Sequence, residues 1–144
     1  MQEVKFELIR GSHSVGESNF HMVFTVAYRR KIFKSKRVLD QTRQYMLSKA
    51  VEMRINVAAM DFGPDHVHLF VTNCRRYSVE DLAHDLKGFV SKMMRENCFM
   101  WIRAWLWGKK FWTRGYFYRS VGSVTAETVK FYVAHCQHKH WVVN

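Results

Sequence analysis

The segment Gly63-Pro64-Asp65-His66-Val67-His68-Leu69-Phe70-Val71 decides how the rest of the chain is read. Gly-Pro-Asp is turn chemistry and the run after it is apolar, β-branched or aromatic, which predicts a tight turn into a buried strand. Side chains two apart on a strand point the same way, so His66 and His68 share a face with Phe70, while Val67, Leu69 and Val71 line the other. Imidazoles on Cα atoms roughly 7 Å apart can close on one metal ion. The pair is a short motif in a chain with eight histidines, and two ordinary hydrogen-bonded histidines on a strand would have the same spacing. The rest of the chain has to decide between the two.

On the N-terminal side of the turn, residues 55–62 read as a strand, so the two runs form a hairpin. Before it, residues 38–54 are rich in helix formers and contain neither Gly nor Pro, which predicts a helix. Phe20, Met22, Phe24 and Val26 alternate with His21, Val23, Thr25 and Ala27, as a half-buried strand would. That strand runs into Tyr28-Arg29-Arg30-Lys31, which with Lys34, Lys36 and Arg37 is the densest positive cluster in the chain. Residues 1–19 read as a short leader or edge strand followed by a Gly- and Ser-rich entry.

On the other side of the turn, Ser78-Val79-Glu80-Asp81 is a helix start signal. Leu82, Leu86, Phe89, Val90 and Met93 follow at helical spacing and should face the sheet, leaving His84, Lys87, Gly88, Ser91 and Arg95 on the opposite face. Small residues between cations would let a phosphate backbone approach, although a solvated helix face has the same composition. Residues 98–114 hold four of the five Trp with four cations, a mixture that suits both a core and stacking on unpaired bases. A strand over 116–121 and a helix opened by Thr125 and running to about His140 complete the chain. On that helix Val129, Tyr132, Val133, Cys136 and His140 fall on one stripe, and by spacing alone Tyr132 is a core tyrosine.

The element order predicts one domain over 1–144 of the α+β class. It is a ferredoxin-like (RRM-like) antiparallel sheet with helices on one face, plus the C-terminal helix that carries Tyr132. In that order the His-x-His strand is central and its second face is left for ligand. The chain has 23 Lys and Arg against 12 acids, a formal charge of +11, and 15% aromatic residues, a balance suited to a polyanion. No apolar run approaches the roughly 18 residues of a membrane span and no signal peptide is visible, so a cytoplasmic, membrane-free protein is expected. Cys74, Cys98 and Cys136 are odd in number and far apart, which argues against a disulfide framework.

Taken together, Tyr28-Arg29-Arg30-Lys31-Ile32-Phe33, the block from Pro64 to Val71, Leu86-Lys87-Gly88, Leu106-Trp107-Gly108, Phe111-Trp112, Gly115-Tyr116-Phe117, Ser120-Val121-Gly122 and Val129-x-x-Tyr132 resemble the small single-tyrosine HUH transposases of bacterial and archaeal insertion sequences. The resemblance covers nearly the whole chain, in order. It implies an enzyme that cuts and rejoins single-stranded DNA at the ends of its own element, next to subterminal hairpins, through a 5′-phosphotyrosine. It further implies Tyr132 as nucleophile, His66 and His68 as ligands of Mg²⁺ or Mn²⁺, and a homodimer whose subunits share their active sites.

The family's third ligand is a Gln four residues after the tyrosine, whereas here that position is Cys136 and the amide is Gln137. A step of five residues turns roughly 140° away from the tyrosine, while His135 and Cys136 stay on its side. Gln137 is the first choice because a hard ion prefers an amide oxygen to a thiol, with His135 or Cys136 as substitutes. Candidate DNA contacts are Arg29, Arg30, Lys31, Lys87, Ser91, Arg95, Lys109 and Lys110. Two other readings stand beside this one: a non-enzymatic binder of single-stranded or hairpin nucleic acid with an RRM-like sheet, and a decayed relative that binds DNA without cutting it.

Overall fold

The computed structural model describes residues 6–8, 18–106, 108 and 110–135. Strand β1 (Phe6–Leu8) is followed by β2 (Phe20–Thr25), helix α1 (Lys36–Met53), the hairpin β3 (Asn56–Phe62) and β4 (His66–Thr72), helix α2 (Val79–Asn97), the single turn α3 (Phe99–Ile102), β5 (Phe117–Ser120) and α4 (Ala126–Ala134). All pairings are antiparallel and the sheet order is β1-β3-β4-β2-β5, so the His-x-His strand lies at the centre. Four of these strands with α1 and α2 make the expected ferredoxin-like unit, and β1 is the short edge strand. Among the described residues no helix is long and apolar enough to cross a membrane.

The helix ends follow from local chemistry. Ser35 accepts a hydrogen bond from the Val38 backbone N–H and Ser78 from that of Asp81, each satisfying a donor that the first helical turn leaves open. Glu80 and Asp81 add negative charge at the positive end of α2. Thr125 and Thr128 each accept from the other's backbone N–H, a reciprocal cap in which Thr takes the place usually held by Glu or Gln.

The sheet's two faces differ sharply. Met22, Phe24, Val26, Val67, Leu69 and Val71 are buried beneath α1 and α2 with Val38, Met46, Ala50, Leu82, Leu86 and Val90. Each such aliphatic side chain stabilises the fold by about 1.5–3 kcal/mol through water exclusion. On α2 the buried set is Leu82, Ala83, Leu86, Val90 and Met94 rather than one including Phe89 and Met93. Phe89 instead packs edge-on to Tyr45 of α1, 6.2 Å between ring centres, because α2 has a second helix beside it as well as a sheet beneath.

The other face, expected to be left open, is partly covered. Helix α4 lies over it, where Phe70, Ala58, Ala59, Val124 and Val129 form a small second core with Val121, Tyr132 and Val133 packed against it. A bulge in β3 between Val57 and Ala59 makes this possible. It turns two small residues toward α4 and resets the strand's alternation, so that Asp61, opposite His68, lies on the histidine face. The last part of the expected helix, from Cys136 to about His140, lies outside the described residues.

Candidate active site on the histidine face

The register fixes which side chains meet on this face. His21 lies opposite Phe70 and Arg119, Val23 opposite His68 and Phe117, Thr25 opposite His66, and Asp61 opposite His68. Directly paired residues project to the same side of an antiparallel sheet. His66, His68, His21, Asp61 and Arg119 therefore occupy one surface from four different strands.

The two motif histidines are held by different partners. The ring centres of His66 and His68 are 5.0 Å apart and nearly perpendicular. His66 Nδ1 is 2.8 Å from Asp65 Oδ1, and Arg29 donates from Nε to Asp65 Oδ2 at 3.0 Å. Burial alone would raise the Asp65 carboxyl, but the hydrogen bonds and charges of His66 and Arg29 outweigh it and hold the group below its usual range. His68 Nδ1 is 2.9 Å from His21 Nε2, and the buried His21 ring is stacked on Phe70 at 4.4 Å. Burial, helped by the nearby Arg119, pushes His21 down to about 3, so it stays neutral.

With both Nδ1 atoms engaged, coordination by either ring falls to Nε2. A His68 that coordinated an ion through Nε2 would carry its proton on Nδ1 and donate to His21. Asp61 is 6% exposed, and burial pushes its carboxyl up to about 6 against the pull of His66. Among the described residues no three His, Cys, Asp or Glu side chains converge on one point close enough to enclose an ion. The arrangement is a histidine pair, His68 buried and the His66 side chain 12% exposed, with a buried carboxylate beside it.

The turn that presents His66 is tightly constrained. A Cβ on Gly63 would fall 2.2 Å from His66 Cε1 and 2.7 Å from Nε2, so only glycine leaves room for the ring in this position. Residues 26–33 clamp the turn, with Val26 N–H donating to the Asp65 carbonyl at 2.8 Å and Phe33 N–H to that of Pro64 at 3.0 Å. Within this clamp Tyr28 and Arg29 are both left-handed, with φ of 57° and 56°. Two such residues cost on the order of 1 kcal/mol each, which the two backbone bonds to the turn and the Arg29–Asp65 pair offset. Gly63→Ala should therefore displace the His66 ring, and a Mn²⁺ affinity that depends on that ring should fall by roughly 10- to 100-fold. Its melting temperature should stay within a few degrees, a pairing that titration calorimetry and thermal unfolding would check together.

Tyr132 projects from α4 onto the same face. Its ring centre is 5.9 Å from that of His21 and 6.5 Å from that of Phe70. The helix that carries it lies on its own chain's sheet. His135 is exposed, stacked on Phe131 at 4.1 Å, and its Nδ1 donates to the Phe131 carbonyl at 2.8 Å, so it is occupied at the helix end. Cys136 and Gln137 lie outside the described residues.

The candidate DNA contacts separate by what already holds them. Lys31 is exposed, and Arg30 and Lys110 line a cavity of about 190 Å³ with Tyr28, Trp105 and Leu106. Lys87 and Ser91 line a larger groove of about 390 Å³ with Lys110, Arg114 and Tyr116. Lys87 is only partly available there, because its ammonium donates to the carbonyls of Thr113, Arg114 and Gly115 at 2.9, 3.1 and 3.2 Å. Burial lowers Lys87 to about 8, which leaves it charged at neutral pH. Arg95 likewise donates to the Lys110 carbonyl, and Lys109 is outside the described residues. Lys87→Met should leave those carbonyls without their donor and cost about 2 kcal/mol in denaturant unfolding. The salt dependence of DNA binding should barely change; a slope shallower by about one would instead make Lys87 a phosphate contact.

Three residues of this surface were not singled out by sequence: His21, Asp61 and Arg119. His21 was legible as lying on the non-core side of its strand, but its partner was not. Asp61 is masked by the bulge, and Arg119 depends on the β2–β5 register.

Comparison with known proteins gives one family. Residues 14–136 match the family model described as transposase, IS200 like. The ISDra2 transposase TnpA of Deinococcus radiodurans is 24% identical over 127 residues, covering 88% of this chain and 89% of its own. The transposase for insertion sequence element IS200 of Salmonella typhimurium is 28% identical over 127 residues, covering 86% and 80%. Two solved structures share the fold. A proposed transposase from Deinococcus radiodurans superposes with a TM-score of 0.65 at 21% identity, over 87% of this chain and 95% of its own. A REP-associated tyrosine transposase bound to a REP hairpin superposes with a TM-score of 0.55 at 12% identity, over 92% and 68%.

Proposed function

The chain belongs to the IS200-like transposase family, and from that premise we propose that it cuts and rejoins single-stranded DNA through a 5′-phosphotyrosine on Tyr132, with Mg²⁺ or Mn²⁺ at His66 and His68. The observation that carries this reading is the common face: Tyr132 packs beside His21, and His21 is hydrogen bonded to His68. Packing against the small core on that face holds the Tyr132 ring on the surface that carries both histidines.

The residues fit a hard divalent ion. Such ions keep several waters and take few protein side chains, so Nε2 of His66 and His68 with the Asp61 carboxylate opposite His68 would be this chain's contribution to the site. When bound, the ion supplies polarisation of the scissile phosphate and neutralises charge that builds up in the displacement. Asp65 and His21 fix the two rings, and Arg29 fixes Asp65. Tyr132 Oη forms a bond to phosphorus as the bond from phosphorus to the 3′ oxygen breaks. The phenolic proton is released to water and the departing 3′ oxygen takes one up. One phosphodiester replaces another, so a free 3′-OH can reverse the step without ATP.

The substrate in this reading is single-stranded DNA flanked by hairpins, supported by the hairpin held by the REP-associated relative and by the excess of basic residues. The active unit in this reading is a homodimer with shared sites, in which α4 of one subunit takes on its partner's sheet the place it holds here on its own, so the Tyr132 surroundings described above are kept. Incubation with Mn²⁺ and end-labelled single strands from the flanks of its own gene tests the reaction class. A denaturation-resistant protein–DNA adduct that needs the metal is the expected result. Retained hairpin binding with no adduct under any metal would favour the non-enzymatic binder or the decayed enzyme.

A further inference from the structure

We propose that Arg119 binds the phosphate that Tyr132 attacks; this deepens the proposed function and rests on it. Arg119 lies on β5 opposite His21, on the histidine face. Its guanidinium carbon is 5.2 Å from the centre of the Tyr132 ring and 5.1 Å from that of Phe117, so the cation sits between two aromatic rings at the nucleophile. Its Nε is buried and meets no hydrogen-bond partner among the described residues. No carboxylate pairs with it there either, whereas Arg29, on the other side of the histidines, has Asp65.

A half-buried guanidinium without a counter-ion is an incomplete arrangement, because desolvating the charge is costly unless an anion or acceptor arrives. The ring contacts supply part of what is missing, but aromatic faces accept no in-plane hydrogen bond. The planar fork of donors matches the oxygens of a phosphate. The phosphate to be cut must lie against Tyr132 Oη, and Arg119 packs against that same residue. Arg119 thus adds a cation at the nucleophile's ring, on the face that also carries the histidine pair. An oxygen of the attacked phosphate is the acceptor that Arg119 lacks.

The test is a cycle between protein and DNA charge, read by fluorescence anisotropy without metal so that nothing is cut. A neutral methylphosphonate is moved one position at a time along a labelled single strand from the gene's flank. Arg119→Met should weaken binding to the unmodified strand by roughly 10- to 100-fold. At one position the methylphosphonate should weaken the wild type by a similar factor and Arg119→Met hardly at all. Arg119→Lys should recover part of the loss, and Arg119→Gln replaces Met if the latter does not fold. With metal, the position of strongest coupling should be the phosphate found in the Tyr132 adduct. Losses that multiply independently at every position, or a variant that binds like the wild type, would overturn the assignment. A wild type that binds strands normally but forms no adduct would overturn the proposed reaction instead.

Discussion

Tyr132→Phe is expected to remove the covalent protein–DNA adduct and to lower strand cleavage by at least about 10⁴-fold, the scale of losing a nucleophile that acts together with its site. Affinity for the same single strand should stay within about twofold. The substitution deletes one oxygen and keeps the ring that packs against His21, Phe70 and Phe131, at 5.9, 6.5 and 5.5 Å between centres. The small core of Val129, Val124, Ala58, Ala59 and Phe70 that docks α4 is untouched. A fall in cleavage can therefore be assigned to the missing hydroxyl and not to a helix that has come away. Binding by filter retention and adduct formation on a denaturing gel separate the two effects. If the adduct persists, the nucleophile lies elsewhere; Tyr28 and Tyr118, both largely exposed, would be the next to change.

The sheet, the two long helices and the placement of the histidine pair were legible because they depend on local periodicity. Alternation in Phe20–Val26 and His66–Val71 sorts the faces, and Ser78 and Thr125 mark two helix starts through hydrogen bonds made within three residues, whereas the Ser35 cap that starts α1 two residues before the expected 38 was not read. Asp61 was not legible for a specific reason. Simple alternation from the core-facing Val57 would have sent Asp61 into the core, and the bulge at Ala58 reverses that phase. Arg119 and His21 needed strand register, a property of two segments nearly a hundred residues apart that neither segment specifies alone. The coverage of the second face by α4 was missed because the same apolar stripe serves equally for a sheet or for a partner subunit. Lys87 reads as a surface cation from its helix position, and only the fold brings three carbonyls to it.

His68→Ala is expected to lower Mn²⁺ affinity by more than about 100-fold in the DNA-free protein, beyond the range typical for residues that only support a ligand. Asp61→Asn should cost roughly 10- to 100-fold, and Gln137→Ala much less. The ordering follows from charge and position. His68 is bonded to His21 and faces Asp61 across the β3–β4 ladder, so losing its ring empties the middle of the row. Asp61 is the buried carboxylate paired with His68 on this face, and Asn conserves its shape while removing the negative charge that a hard cation favours. Gln137 is neutral and follows Tyr132 by five residues in sequence, a step that would turn roughly 140° away on a regular helix. Calorimetric titration of each variant with Mn²⁺, with thermal unfolding as the control for intact structure, gives the three values. If Gln137→Ala costs more than Asp61→Asn, the third ligand comes from the tyrosine helix, and the helix must bend beyond His135 to deliver it. If Asp61→Asn costs more, metal loading is set by the sheet alone, and α4 can move to another subunit without carrying the ion with it.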